Sequence, residues 1–142
     1  MRIEEHKYIL HDGREITIRS AGSEDAMKVK LHREATSAET HFMAREPEDG
    51  QFSLEKTTEI LGMSIRQKYT GMGLGSFMMK IALDQAKANG FEQVELGVYS
   101  DNDRARYMYK KMGFKEYGMN PRAFKLKDGT YRDEIIMANI FE

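Results

Sequence analysis

The chain has 142 residues, which is about the length of one domain, because a single core is commonly built from ~100–200 residues. Hydrophobic residues make up 40% and charged residues 32%, a balance that supports a buried core and excludes intrinsic disorder. Lys and Arg total 22 and Asp and Glu total 23, and this net charge of −1 argues against nucleic acid as a partner. We therefore expect one domain over residues 1–142.

Cysteine is absent, which excludes disulfides, thiolate metal ligands and a cysteine nucleophile. The four histidines all fall in the first third of the chain without metal-ligand spacing, and we assign no metal to the protein. The charged segment 1–10 and the lack of ~18 consecutive apolar residues argue against a signal peptide and a membrane span. We therefore expect a soluble cytoplasmic protein.

The first part of the chain predicts a strand or a small hairpin followed by two helices. Residues 8–19 alternate around a turn at 11–13, as a half-buried hairpin would. Gly22 and Ser23 supply an N-cap, and the helix that follows continues to Thr36. After a loop, residues 53–61 predict a short second helix.

The second part alternates strands and helices, with glycines at the boundaries. The predicted elements are a strand at 61–65, a loop with glycines at 71, 73 and 75, a helix ending at Asn89-Gly90, a strand at 94–98, a helix capped by Asp101 or Asn102 that ends before Gly113, and a strand from Phe114. Asp128-Gly129 between two apolar runs is a strong hairpin signal. The sheet is therefore expected to end antiparallel.

The glycine loop, residues 70–76, combines alternate glycines with an immediate helix start. Glycine allows positive φ and close approach, and the first amides of a helix point at a ligand beside its positive end. A nucleoside-triphosphate loop is excluded because no Lys lies between 71 and 79. A dinucleotide fold is a weaker rival, with Glu95 near the position for a ribose hydroxyl. The pattern predicts an anion cradle.

Two motifs follow one another between residues 61 and 137. The first is the glycine loop between a strand and a helix, and the second has the pattern Asn102-x-Arg104-Ala105-x-x-Met108-Tyr109-x-Lys111-x-Gly113-Phe114. Together they resemble the GNAT acetyltransferase superfamily. Residues 41–43, 46–47 and 124–137 are similar to its ribosomal-protein N-terminal acetyltransferase-like branch. The resemblance implies a mixed α/β (α+β) fold with a central, mostly antiparallel sheet flanked by helices.

The resemblance also implies transfer of an acetyl group from acetyl-CoA to a primary amine of a protein N-terminus, a lysine or a small molecule, without a metal. The backbone of Met63, Ser64 and Ile65 would bind the pantetheine arm, and Asn102 would contact it. The residues that would wrap the pyrophosphate are Gly71, Met72, Gly73, Leu74, Gly75 and Ser76. Tyr109 would lie near the thioester sulfur.

Acyl transfer from a thioester needs a neutral amine, a proton acceptor and a donor for the departing thiolate. A phenol with a reference pKa of ~10 is a suitable donor, so Tyr109 is the candidate acid, although a helical tyrosine is also a common core residue. Glu59 is the candidate base, because it lies nearest to where this family often carries a carboxylate; otherwise it is a solvated glutamate.

Charge is distributed unevenly along the chain. Acidic residues dominate positions 34–61, whereas basic residues dominate positions 100–132. Both stretches could simply be solvated faces. The functional interpretation is a cationic acceptor beside the first stretch and the CoA phosphates beside the second.

Two features depart from the family pattern. Thr70 stands where Arg or Gln is usual, and only residues 62–70 separate the second helix from the glycines, which leaves no room for two of the usual strands. An open strand edge invites pairing. We expect residues 8–19, or a segment exchanged in a homodimer, to fill the gap. The alternative function is a non-catalytic or degenerate acyl-CoA-binding module that forms dimers.

Overall fold

The computed structural model describes residues 3–39 and 63–142. This part of the chain divides into two compact units, one with residues 3–39 and 63–88 and the other with residues 89–142. The predicted helix over 53–61, and with it Glu59, lies outside the described residues. The single domain over 1–142 stays a prediction.

The first unit opens with an antiparallel hairpin of β1 (His6–Ile9) and β2 (Glu15–Ile18). Its turn is closed by the Leu10 amide, which donates to the Arg14 carbonyl at 2.8 Å, and Gly13 supplies the positive φ of 87°. The predicted hairpin is confirmed. Among the described residues, β1 and β2 pair with each other. That residues 8–19 fill the gap before residue 62 stays a prediction.

A short 3₁₀ turn, Ser23–Asp25, leads into α1 (Ala26–Glu39), so the helix extends beyond the predicted end at Thr36. The buried Asp25 carboxylate accepts hydrogen bonds from the Arg19 guanidinium, at 2.6 and 3.0 Å, and from the Gly22 amide at 3.0 Å. The Arg19 hydrogen bond, helped by that of the Gly22 amide, lowers the pKa of Asp25 well below its usual range. These bonds fix the start of α1.

Stability should depend on the charge of Asp25. Because its pKa is lowered in the folded state, its contribution is present above the unfolded value of ~3.9 and is lost as the pH falls further. We expect Asp25→Asn to be less stable than the unaltered protein at neutral pH and to lose less stability on acidification. Urea unfolding between about pH 6 and pH 2 measures this. Glu24→Gln is the control, and an identical acid dependence in Asp25→Asn would contradict the expectation.

Residues 63–66 form neither helix nor strand, so the strand predicted over 61–65 is wrong for its described part. This segment is held instead by side chains of α1. The Glu39 carboxylate accepts from the Gln67 amide at 2.7 Å, and Ser64 Oγ lies 3.0 Å from His32 Nε2. A 3₁₀ turn, Gln67–Tyr69, follows.

The next helix, α2 (Leu74–Ala88), buries a stripe at helical spacing that includes Met79, Leu83 and Ala86. Gly90, with φ 82°, follows the helix end as predicted.

The second unit is built on a sheet of three antiparallel strands in the order β3-β5-β4. Its elements are β3 (Gln93–Tyr99), α3 (Asp103–Lys111), β4 (Lys115–Lys125) and β5 (Tyr131–Ile140). Leu96 pairs with Met137, and both are buried. The hairpin at Asp128-Gly129 is confirmed, and the strand predicted from Phe114 begins one residue later, at Lys115.

The combination of helices with antiparallel sheets confirms the mixed fold class. No helix among the residues described is long and apolar enough to cross a membrane. The sequence predicts that two of the usual strands are missing before residue 62. That part of the chain lies outside the described residues 3–39 and 63–142.

Candidate functional site

The glycine loop has the backbone that the sequence predicts. Gly71 and Gly73 have φ values of 80° and 79°, in the left-handed region that favours glycine, and α2 begins at the next residue. The first helical hydrogen bond runs from the Phe77 amide to the Gly73 carbonyl at 3.1 Å. The amides before Phe77 have no acceptor inside an α-helix. Gly75 lies in the first turn of α2 rather than in the loop, and it contributes one of these amides.

The β1–β2 hairpin contacts this loop. A Cβ atom at Gly73 would lie 2.5 Å from Tyr8 Oη and 2.8 Å from His11 Nε2. The Tyr8 ring also stacks on Phe77, with centroids 4.2 Å apart and planes at 19°. Glycine is therefore required at position 73 for two reasons: the backbone has a positive φ, and there is no space for a side chain. Sequence reasoning missed Tyr8 and His11, because no local pattern connects a hairpin to a distant loop.

Cationic side chains lie beside the loop. Arg14 Nη2 is 3.7 Å from Met72 Sδ, and the guanidinium lies 5.4 Å from the Tyr69 ring centroid, which Lys68 Nζ approaches to 4.9 Å. Arg14 Nε donates to Asp12 at 2.8 Å, and hydrogen bonding to Arg14 lowers the pKa of that carboxyl. The loop therefore has positive charge nearby, partly balanced by Asp12.

The segment before the glycine loop, from residue 63 onwards, belongs to the first unit. Met63, Ser64 and Ile65 are half-buried, and their backbone forms neither helix nor strand. Arg66 Nε pairs with the Glu39 carboxylate at 2.7 Å. The pKa of Glu39 is lowered, chiefly by the hydrogen bond that it accepts from the Gln67 amide. This segment is therefore anchored to the end of α1.

Thr70, the departure from the family pattern, uses its hydroxyl within its own turn. Thr70 Oγ1 donates to the Gln67 carbonyl at 2.8 Å, and the Thr70 amide donates to the same carbonyl at 3.1 Å. The side chain therefore stabilises the approach to the glycines instead of extending towards a ligand.

The second unit carries the other two candidate residues. Asn102 Oδ1 accepts from the Ala105 amide at 3.2 Å, so the side chain caps α3. Tyr109 lies on α3 with its ring 5.8 Å from that of Phe114, and burial raises the pKa of its phenol. A phenol is protonated at neutral pH, as a proton donor must be.

An ion pair and a hydrogen bond fix the connection between β3 and α3, in which Asn102 lies. Arg132 Nε on β5 is 3.0 Å from Asp101 Oδ2, and Arg106 Nη1 donates to the Ser100 carbonyl at 2.9 Å. Both contacts involve the residues directly before Asn102. The position of its side chain is therefore determined by α3 and by β5.

The family model described as Acetyltransferase (GNAT) family matches residues 29–114. This match covers more than half of the chain and includes the glycine loop and the Asn102–Phe114 motif. The chain belongs to the acetyltransferase (GNAT) family, and the resemblance seen in the two motifs is confirmed.

Two curated relatives match part of the chain. The [ribosomal protein bS18]-alanine N-acetyltransferase of Haemophilus influenzae is 27% identical over 88 residues, which are 62% of this chain and 59% of that protein. The mycothiol acetyltransferase of Beutenbergia cavernae is 40% identical over 58 residues, which are 41% of this chain and 20% of that protein. The chain therefore matches less than two thirds of the length of each.

Solved structures share the fold. An acetyltransferase of the GNAT family from Streptococcus pneumoniae is similar with a TM-score of 0.75 and 21% identity, covering 87% of this chain and 98% of that one. The Salmonella typhimurium protein yncA, solved with its cofactor acetyl-CoA, has a TM-score of 0.73 at 14% identity, over 87% and 92% of the two chains. At these identities the likeness establishes the fold.

Proposed function

We propose that the protein is an N-acetyltransferase that transfers the acetyl group of acetyl-CoA to a primary amine. The observation that carries this proposal is the glycine loop, in which two glycines with positive φ present the first amides of α2. Such amides bind phosphate oxygens at the positive end of a helix. Membership of the acetyltransferase (GNAT) family supports the same ligand.

The residues present fit acetyl-CoA. The amides of residues 71–76 would bind its pyrophosphate, and the side of Gly73 that Tyr8 and His11 occupy leaves no space for a side chain. The backbone of Met63, Ser64 and Ile65, which belongs to neither a helix nor a strand, would bind the pantetheine arm. Acetyl-CoA supplies the thioester carbonyl that the amine attacks.

Two side chains would move protons. Tyr109 would donate to the departing thiolate, since a phenol holds its proton at neutral pH. Glu59 is the base that the family pattern suggests. Each role is separable from binding, because neither side chain is needed to hold the pyrophosphate.

The acceptor is proposed to be a cationic amine, either a protein N-terminus or a small molecule. Acidic residues dominate positions 34–61, which favours a positively charged acceptor. The Haemophilus influenzae relative is an alanine N-acetyltransferase, and the Beutenbergia cavernae relative is a mycothiol acetyltransferase. An α-amine is also easier to deprotonate than a lysine, with reference pKa values of ~8 against ~10.4. The cytoplasmic location and the homodimer remain predictions from the sequence.

A thiol-release assay tests the proposal. The protein is incubated with acetyl-CoA and, in turn, an alanine-initiated peptide, spermidine and free lysine, and free CoA is measured with a thiol reagent. Amine-dependent release supports the enzyme. Calorimetric binding of acetyl-CoA without release by any amine would support the non-catalytic module instead.

Asn102 should have two separable roles. Asn102→Ala removes the cap of α3, and we expect the free energy of unfolding to fall by about 1 kcal/mol. Asn102→Asp keeps a capping oxygen but loses the amide donors, so we expect it to keep stability and to bind acetyl-CoA more weakly. Thermal unfolding and calorimetry measure the two effects. Unchanged binding by Asn102→Asp would remove Asn102 from the pantetheine contacts.

A further inference from the structure

A glycine in the middle of β3 marks an unusual place in the sheet. Gly97 lies between the buried residues Leu96 and Val98, in a strand where a side chain would normally contribute packing. A Cβ atom at Gly97 would collide with the Glu134 carboxylate, and would lie 2.7 Å from its Cδ and 3.1 Å from its Cγ. A strand glycine often marks such a close approach. The Glu134 side chain therefore fills the space that a side chain at position 97 would occupy.

The register of the sheet explains this placement. Tyr99 pairs with Glu134 and Gly97 pairs with Ile136, so Glu134 leans diagonally across to β3. The Ser100 amide donates to the Asp133 carbonyl at 2.9 Å, which fixes β5 to the end of β3 at this point. From there the chain passes directly to Asn102. The carboxylate thus lies on β3 just before the connection that carries a proposed acetyl-CoA contact.

No hydrogen bond or ion pair holds the Glu134 carboxylate within residues 3–39 and 63–142. Two charged side chains of the same unit have partners of their own. Arg132 on β5 lies 3.0 Å from the Asp101 carboxylate, and Glu95 on β3 accepts from the Gln93 amide group at 3.2 Å. Gly97 itself is exposed. Glu134 therefore presents a carboxylate whose position is set by the pairing of β5 with β3.

We propose that Glu134, seated over Gly97, is the proton acceptor for the attacking amine. This inference rests on the proposed acetyl transfer and assigns to Glu134 a role for which the sequence alone suggested Glu59. The ammonium form of the acceptor first loses a proton to water. The neutral amine nitrogen then forms a bond to the thioester carbon, the carbon–sulfur bond breaks, and the second proton leaves nitrogen for the Glu134 carboxylate. The thiolate takes a proton from Tyr109, and water returns both side chains to their starting state.

The first test removes the charge and keeps the shape. We expect Glu134→Gln to lower kcat at least about 100-fold, the usual contribution of a general base, while the dissociation constant for acetyl-CoA stays unchanged. The matched control is Glu95→Gln, which removes a carboxylate that already has a partner on the same sheet, and which should keep normal turnover. Turnover is measured by thiol release with the amine that the unaltered protein uses best.

The second test moves the carboxylate from β5 to β3. In the double variant Gly97→Glu with Glu134→Ala, the new side chain starts where the old carboxylate lay. We expect it to recover at least a tenth of the normal kcat, whereas Glu134→Ala alone should be as slow as Glu134→Gln. Thermal unfolding and acetyl-CoA binding are compared between the single and the double variant. If both are equal and kcat still recovers, a role of Glu134 in stability alone cannot explain the recovery.

The outcomes separate this inference from the proposed function. Normal turnover by Glu134→Gln, or no recovery in a double variant that folds and binds acetyl-CoA, overturns the role of Glu134 while leaving the acetyltransferase in place. Failure of the unaltered protein to release thiol with any of the three amines overturns the proposed function and the role of Glu134 with it.

Discussion

Replacing Gly73 with aspartate is expected to raise the dissociation constant for acetyl-CoA at least about 100-fold. The side chain would need a φ of 79°, would meet Tyr8 and His11, and would bring negative charge to amides that are proposed to bind a pyrophosphate. Losing hydrogen bonds to a charged group costs about 1.5–3 kcal/mol each, and about 2.7 kcal/mol is a factor of 100 in affinity. Isothermal calorimetry measures the change.

The control for Gly73→Asp is Gly129→Asp. Gly129 has a similar φ of 84°, but a Cβ atom there would meet nothing within 4 Å. Both variants therefore carry the same backbone strain, and only one of them alters the loop. Equal acetyl-CoA affinity in the two variants would show that the glycine loop does not bind the pyrophosphate.

Replacing Tyr109 with phenylalanine is expected to lower kcat about 100-fold or more and to leave acetyl-CoA affinity close to normal. The substitution removes the proton that the departing thiolate would receive, a contribution typical of general acid catalysis, and keeps the ring beside Phe114. Steady-state thiol release gives kcat, and calorimetry gives the affinity.

Tyr107 provides the matched control on the same helix. Its side chain is 65% exposed, so Tyr107→Phe removes a phenol that faces solvent. We expect normal turnover from that variant. A Tyr109→Phe protein that is as fast as Tyr107→Phe would remove Tyr109 from the mechanism.

Local patterns in the sequence were sufficient for most of the fold. The hairpin at 8–19, the glycine loop and the start of α2 each depend on residues within a few positions of one another, such as Gly73 before Leu74. The same holds for the cap at Asn102 and the turn at Asp128-Gly129. Turn and cap chemistry is local, so a sequence reader can find it.

Features that depend on tertiary contacts were missed. Residues 63–65 resemble part of a strand, but Ser64 contacts His32 and the nearby Gln67 amide donates to Glu39, so this part of the chain is held against α1. Glu134 looks like one more charge on an amphipathic strand until the register places it over Gly97. β3 and β5 are distant in the chain and no turn joins them, so local sequence spacing does not reveal which of their residues oppose each other.

The stacking of Tyr8 on Phe77 has a consequence for how the protein folds. The two rings are far apart in the chain, and contacts between distant segments cannot form until the intervening loop has closed. The amides at the start of α2 thus reach their final surroundings only once the first strands have docked. A cosubstrate that binds those amides would bind folded molecules in preference to partly folded ones. Its presence would therefore shift the folding equilibrium towards the folded state.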